Sequence, residues 1–306
     1  MFALSRFSVY FLAVTKAKSI RKAAEKLHVS ASAIDRQILM VEAELETPLF
    51  ERLPQGLRLT AAGEVLTAAI GRWEREFGQT LALIDEMKGL RRGHVDLAVI
   101  NALSEGIVPE SIGALSERFP GITVGVAVLD NALVAKRIAD GDVDAGILLG
   151  PPSMMGLEVL ERVGVPLGIV VPPGHPLAHK ASVRLGQTLE YRTIFPAAPL
   201  VIHEHAQRLY ASHQIDSAKF VQCNNTQMMR ALIKRKVGIG MVSRLDVQAD
   251  VEAGLLCFIP LSDAGAGDLS LALCVASNRQ PSRAAREVIG FLAGALRGEG
   301  APDAVC

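Results

Sequence analysis

The sequence predicts an α/β chain made of a small winged helix-turn-helix, one long helix and two α/β subdomains. Three observations lead there. Residues 19–38 read as helix, tight turn, helix. Residues 70–87 carry an apolar stripe at heptad spacing. From His94 onward, apolar runs of strand length alternate with helical segments. A length of 306 residues suits two or three domains, and half of the residues are hydrophobic, enough for sizeable cores.

The elements follow in order. Residues 2–14 form a first helix with Phe7, Tyr10, Phe11 and Val14 on one side. Ala23, Ala24 and Leu27 make the apolar face of the next helix, which Val29 and Ser30 interrupt. Ser30 can cap a further helix whose apolar face is Ala33 or Ile34, Ile38 and Val41. That helix offers Ser32, Asp35 and Arg36 outward, side chains able to reach base edges or phosphate. An ordinary pair of core helices would show the same pattern. Pro48 ends the helix, and Leu53-Pro-Gln-Gly56 turns a short hairpin, the wing.

Thr60 can cap a helix running from Ala61 to about Leu90. Ile70, Phe77 and Ile84 recur every seven residues along it, with Trp73, Thr80 and Met87 between them. A helix of some thirty residues is about 45 Å long, too long for a small domain to cover, so a second copy of the chain is the expected partner. Residues 89–93 form a basic, glycine-flanked hinge. Strands over 95–100, 122–128 and 143–149, with helices over 104–118 and 133–139, make a βαβαβ unit with a parallel sheet. A second cycle has strands over 166–171, 193–195, 219–223, 239–242 and 269–276. Its helices span 204–213 and 226–236, a short one opens at 183–186, and a last helix covers 283–296. The expected domains are 1–60, 61–93 and 94–298, with a tail over 299–306. Within the third, one lobe covers about 94–162 and 271–298 and the other about 163–270.

Charge is unevenly placed. The net charge is zero, yet residues 1–63 hold nine basic and six acidic side chains, a surplus of three. Five of the nine lie between Lys16 and Lys26, where the first helix of the motif would cross a phosphate backbone. Cys223, Cys257, Cys274 and Cys306 form no C-x-x-C pair and read as reduced thiols in a cytoplasmic protein. No signal peptide or bilayer-spanning run is expected.

Other chemistry finds little footing. Val237-Gly-Ile-Gly240 lacks a third glycine and runs from helix to strand, the wrong order for a dinucleotide loop. Asp140-Gly-Asp-Val-Asp144 opens like a calcium loop, but Ala145 and Pro151 stand where a turn glycine and a bidentate glutamate belong. His203, His205 and His213 do not form H-E-x-x-H. With no nucleophile motif, no cofactor, metal or enzymatic activity is expected.

The run Ala23-Ala24, Leu27, Val29-Ser30, Arg36-Gln37-Ile38, Glu42, Pro48-Leu-Phe-Glu-Arg52, Leu59-Thr60 and Ala62-Gly63 resembles the DNA-binding domain of LysR-type transcriptional regulators, in order and spacing. Residues 171–177 and 231–240 are similar to looser stretches of that family's effector domain, which itself looks like a periplasmic solute-binding protein. The resemblance implies a homodimer or homotetramer bound to interrupted inverted repeats in double-stranded DNA. Ser32, Asp35 and Arg36 would then face the major groove, beside Ala31 and Ala33. Phosphate contacts would come from Ser30, Lys22 and Thr60, with Arg52 and Arg58 near the wing. Family members often carry Gln at the position of Ala31, Ser or Thr at Asp35, and a basic residue at Gln55. Asp35 could accept from a cytosine amino group or pair with Arg36 or a lysine.

The same resemblance implies a small-molecule effector between two lobes. The matching edges are Asn101, Ala102, Leu103 and Ser104, and Asn224, Asn225 and Thr226. Both edges would stand at helix N-termini, which suit a carboxylate or similar anion. Plain helix capping would equally explain Ser104 and Thr226. A solute-binding receptor without DNA binding is the alternative function.

Overall fold

The computed structural model describes residues 6–54, 56–87, 93–150, 156–213, 221–263 and 268–298. It divides into two compact units, Met1–Leu90 and Arg91–Cys306.

The first unit holds α1 (Arg6–Ala17), α2 (Ile20–Leu27), α3 (Ala31–Glu44), the hairpin β1 (Phe50–Leu53) and β2 (Gly56–Leu59), and α4 (Ala61–Met87). Its core is Phe11, Val14, Ala23, Ala24, Ile34, Ile38, Leu49, Phe50 and Ile70. The two alanines let the helices approach closely. Ser19 caps α2 by accepting from the Lys22 N–H. His28 then takes the left-handed conformation (φ 56°) and returns its N–H to the carbonyls of the last turn of α2. Ser30 caps α3 through the Ala33 N–H at 3.3 Å. Thr60 opens α4, accepting from the Gly63 N–H at 3.1 Å and donating to the Pro48 carbonyl at 2.7 Å. Gly63 cannot be replaced cheaply, because a Cβ there would stand 2.2 Å from the Leu49 carbonyl oxygen.

α4 is 27 residues long, about 40 Å. Its apolar residues fall into a buried and an exposed stretch. Ala62, Leu66 and Ile70 pack into the core of their own unit, and Ile70 is fully buried. Trp73, Leu81 and Ile84 are 53, 46 and 42 % exposed. Ile70 therefore does not belong to an intersubunit seam, correcting the heptad reading. Thr80 is exposed and returns its hydroxyl to the Glu76 carbonyl. The Met87 side chain, Gln55 and the 299–306 tail lie outside the described residues.

The second unit carries two five-stranded sheets. The first has the order β4 (Ile122–Leu129), β3 (Gly93–Ile100), β5 (Ala145–Leu149), β12 (Leu269–Ala276), β6 (Leu157–Val165). The second has the order β11 (Cys257–Pro260), β7 (Leu167–Val171), β10 (Ile239–Ser243), β8 (Thr193–Pro196), β9 (Val221–Cys223). β5 and β7 are buried along their whole length, as strands covered on both faces must be. Around them stand α5 (Ile107–Arg118), α6 (Asn131–Ala139), α7 (Val201–Ser212), α8 (Thr226–Lys234), α9 (Gln248–Glu252) and α10 (Arg283–Leu296). β3 pairs in parallel with β4 and β5, as the βαβαβ unit requires, while β12 joins antiparallel to β5 and β6 and makes the whole sheet mixed. β6, β11 and α9 are elements that the sequence pattern does not reveal. α5 begins at Ile107, not Ser104, because residues 101–103 form a separate 3-10 turn.

Candidate nucleic-acid interface and ligand cleft

In the first unit, α3 buries Ile34 and Ile38 and turns the opposite face outward. Ala31, Ser32 and Arg36 on that face are exposed, as are Ser30 and Lys22, while Ala33 is half-buried. Arg36 has no ion-pair partner among the described residues. The Ser32 hydroxyl donates to Ser30 Oγ at 3.3 Å. Asp35 pairs neither with Arg36 nor with a lysine: it accepts from Arg52 on β1 at 2.9 Å. Arg58 is held across the hairpin by Glu51 at 2.6 Å. Thr60 has its hydroxyl proton committed to Pro48, so its role is that of a cap. Glu42 Oε1 accepts the N–H groups of Leu49 at 2.6 Å and Phe50 at 3.1 Å, anchoring the start of the wing to α3.

In the second unit a cleft of about 80 Å³ opens where β3, β4 and β5 end. Its first-sheet side is Ile100, Asn101, Ala102, Leu129, Asp130, Asn131 and Leu149, and its other side is residues 199–202 with Thr226 and Asp246. Such a position, beyond the carboxyl ends of parallel strands, is where α/β sheets bind ligands. The Asn131 amide exchanges two hydrogen bonds with the Leu149 backbone, at 2.8 and 2.9 Å, and so fixes the floor. α7 points its first turn into the cleft through Val201 and Ile202. Beside the cleft, Arg230 on α8 ties Glu105 at 3.1 Å to Asp250 at 2.6 Å, and Lys234 also reaches Asp250.

Asp246 is buried in this wall. It accepts from the Ser243 hydroxyl at 2.6 Å, from the Ser243 N–H at 3.3 Å and from the Thr226 hydroxyl. Loss of water around it raises its pKa above the ordinary carboxylate value, more than these donors lower it.

A family model described as "Bacterial regulatory helix-turn-helix protein, lysR family" matches residues 6–64. A second, "LysR substrate binding domain", matches residues 88–297. The chain is a LysR-type transcriptional regulator. The helix-turn-helix match also removes support from a receptor without a DNA-binding domain. Among similar proteins is the "Probable RuBisCO transcriptional regulator" of Porphyra purpurea, 26% identical over 278 residues, 89% of this chain and 87% of the relative. Among solved structures, full-length CbnR in complex with its target DNA has a TM-score of 0.68 at 20% identity, covering 95% of this chain and 98% of that one. The regulatory domain of Synechocystis PCC6803 CcmR in complex with 2-PG has a TM-score of 0.58 at 18% identity, covering 69% and 100%. Among the described residues, no helix of this regulator is long and apolar enough to cross a membrane.

Of the expected effector residues, Asn101, Ala102 and Thr226 line the cleft. Leu103 is buried in the hydrophobic core. Ser104 is exposed and donates to Asn101 Oδ1 at 3.5 Å; it closes the 101–103 turn through its N–H to the Asn101 carbonyl and starts no α-helix. Asn224 and Asn225 are off the cleft, and Asn225, not Thr226, is the cap of α8, accepting from the Met228 N–H at 2.9 Å. Thr226 spends its hydroxyl on Asp246. Asp130, Asn131, residues 199–202 and Asp246, with Ile100, Leu129 and Leu149 at the strand ends, are the lining that sequence reasoning missed. Each lies at or just past the end of a strand, and that rule could have found them.

Proposed function

We propose that this regulator grips operator DNA with α3 in the major groove and the hairpin at its flank, as a homodimer or homotetramer in the cytoplasm. The observation that carries this is the division of α3: Ile34 and Ile38 are sealed in the core while Ser32 and the unpaired Arg36 face outward. Ala31 and Ala33 leave room for bases beside them, and Ser30 and Lys22 lie where phosphates would pass. Arg52 and Arg58 are partly neutralised by Asp35 and Glu51, so they would position the wing more than bind phosphate. Trp73, Phe77, Thr80 and Ile84, with Met87 further along, are the seam for a second copy.

A small anionic effector is the matching reading of the cleft, which holds little more than a few atoms' volume as it stands. With Thr226 engaged and Ser104 outside, the donors for a carboxylate are the first-turn N–H groups of α7, assisted by Asn101. Fluorescence anisotropy with promoter DNA tests both readings together. Arg36→Ala should cost about 1–3 kcal/mol on the preferred site, and Lys22→Ala should weaken every sequence evenly. Candidate carboxylates should shift wild-type binding, and Asn101→Ala should reduce that shift without changing ligand-free affinity. Uniform loss in Arg36→Ala would remove α3 as the reader.

A further inference from the structure

The two stretches not used so far, 171–177 and 231–240, meet in the structure. Together with residues 191–192 they line a cavity of about 350 Å³, whose walls include Pro172, His175, Tyr191, Arg192, Lys236 and Gly238. The cavity lies at the entry ends of β8 and β10, whereas Pro199 and Asp246 of the ligand cleft follow the exit ends of the same strands. The two places are separated by the length of a strand, about 15 Å.

Pairing of β8 with β10 brings the cations together. Ile239 stands opposite Thr193, and the Ile239 N–H donates to the Arg192 carbonyl at 2.9 Å, which sets Arg192 beside the 236–238 turn. Gly238 permits the approach, since a Cβ there would lie 2.4 Å from the Arg192 carbonyl oxygen. Lys236 follows α8 in the left-handed conformation (φ 59°), the position where a glycine is usual. Neither Arg192 nor Lys236 has an ion-pair partner among the described residues. Glu190, alongside, accepts from the Tyr191 hydroxyl and forms no ion pair among the described residues.

The remaining walls are flat and mostly apolar. The His175 and Tyr191 rings meet edge to face with centroids 4.5 Å apart. His175 Nδ1 accepts the Leu177 N–H at 3.2 Å, so the neutral ring carries its proton on Nε2 and is a donor there. Burial holds that ring's pKa below its ordinary value, which favours this neutral form.

We propose that this cavity is a second ligand site, for a small phosphate monoester with a flat apolar body. Arg192 and Lys236 take the phosphate, and Tyr191 and the prolines take the body. Two cations with no ion-pair partner among the described residues match a group carrying close to two negative charges at neutral pH, and a guanidinium matches phosphate oxygens two at a time. The volume is at the lower end for small-molecule sites. The site stands independently of the effector reading of the cleft.

Calorimetry on the full chain, with phenyl phosphate as the probe, tests this. Wild type should bind it, and Arg192→Gln and Lys236→Gly should each weaken binding about tenfold. Thr226→Ala, in the other cleft, should change it less than about twofold, because separate sites act independently. Lys236→Gly also relieves the left-handed backbone, so its melting temperature without ligand should hold or rise, and lost binding cannot then be assigned to unfolding. Inorganic phosphate should bind at least about fivefold more weakly, since it buries no apolar surface. No binding by wild type at millimolar probe, or unchanged binding by the Arg192→Gln/Lys236→Gly double variant, overturns the site. Inorganic phosphate binding as tightly as phenyl phosphate overturns the apolar body.

Discussion

Asp35 on α3 and Arg52 on β1 form an ion pair of 2.9 Å that links the outward face of the helix to the wing. Their side chains are 35 and 68 % exposed, so the pair adds little to stability. Its consequence is electrostatic. An acid on the outward face of α3 cancels a wing cation and leaves Arg36 as the cation of α3 with no ion-pair partner among the described residues.

Asp35→Ala should therefore change stability by less than about 1 kcal/mol while tightening binding to DNA of any sequence. The slope of log affinity against log salt should steepen by about one phosphate contact as Arg52 is released. Arg52→Ala made on top of Asp35→Ala should undo the gain. Equal salt slopes for wild type and Asp35→Ala would mean that Arg52 already holds a phosphate.

The long helix should separate two kinds of substitution. Phe77→Glu or Ile84→Glu puts a charge into the proposed seam and should yield monomers in sedimentation with the first unit still folded. Ile70→Glu puts the same charge into the unit's own core and should unfold it, costing upwards of about 3 kcal/mol. A dimeric, folded Phe77→Glu variant would place the seam elsewhere.

Asp246 gives the cleft wall a pH signature. Its pKa is raised in the folded state, so the folded chain binds this proton more tightly than the unfolded one. Stability is then lost as pH rises above the ordinary value of 3.8 through the folded pKa. Asp246→Asn should melt like wild type below that value and higher than wild type at neutral pH. A lower melting temperature at neutral pH would show that the Ser243 and Thr226 donors outweigh burial.

What the sequence discloses here is what short-range contacts decide. Ala23, Ala24, Ser30, Ile34 and Ile38 act within a turn or two of each other, and helix, cap and crossing follow from spacing alone. β6 escapes because its pairing with β12 is shifted between Leu273 and Cys274, which breaks the two-residue alternation around Leu160. The start of α5 had a signal in Pro109, which a helix accommodates in its first turn but not its interior. Ile70 shows the limit of a heptad: an apolar stripe states that something covers it, not whether the cover is the same chain or another. The cleft wall is the least legible, since the Thr226–Asp246 contact joins residues that only the fold brings together.

Selection from a random pool of duplex DNA is the most direct measurement. The full-length chain should enrich an interrupted inverted repeat, the imprint of two symmetry-related copies of α3. Arg36→Ala should lose or change that sequence while still retaining DNA at low salt. No enriched sequence with wild type, or the same sequence with Arg36→Ala, would contradict α3 as the element that reads the operator.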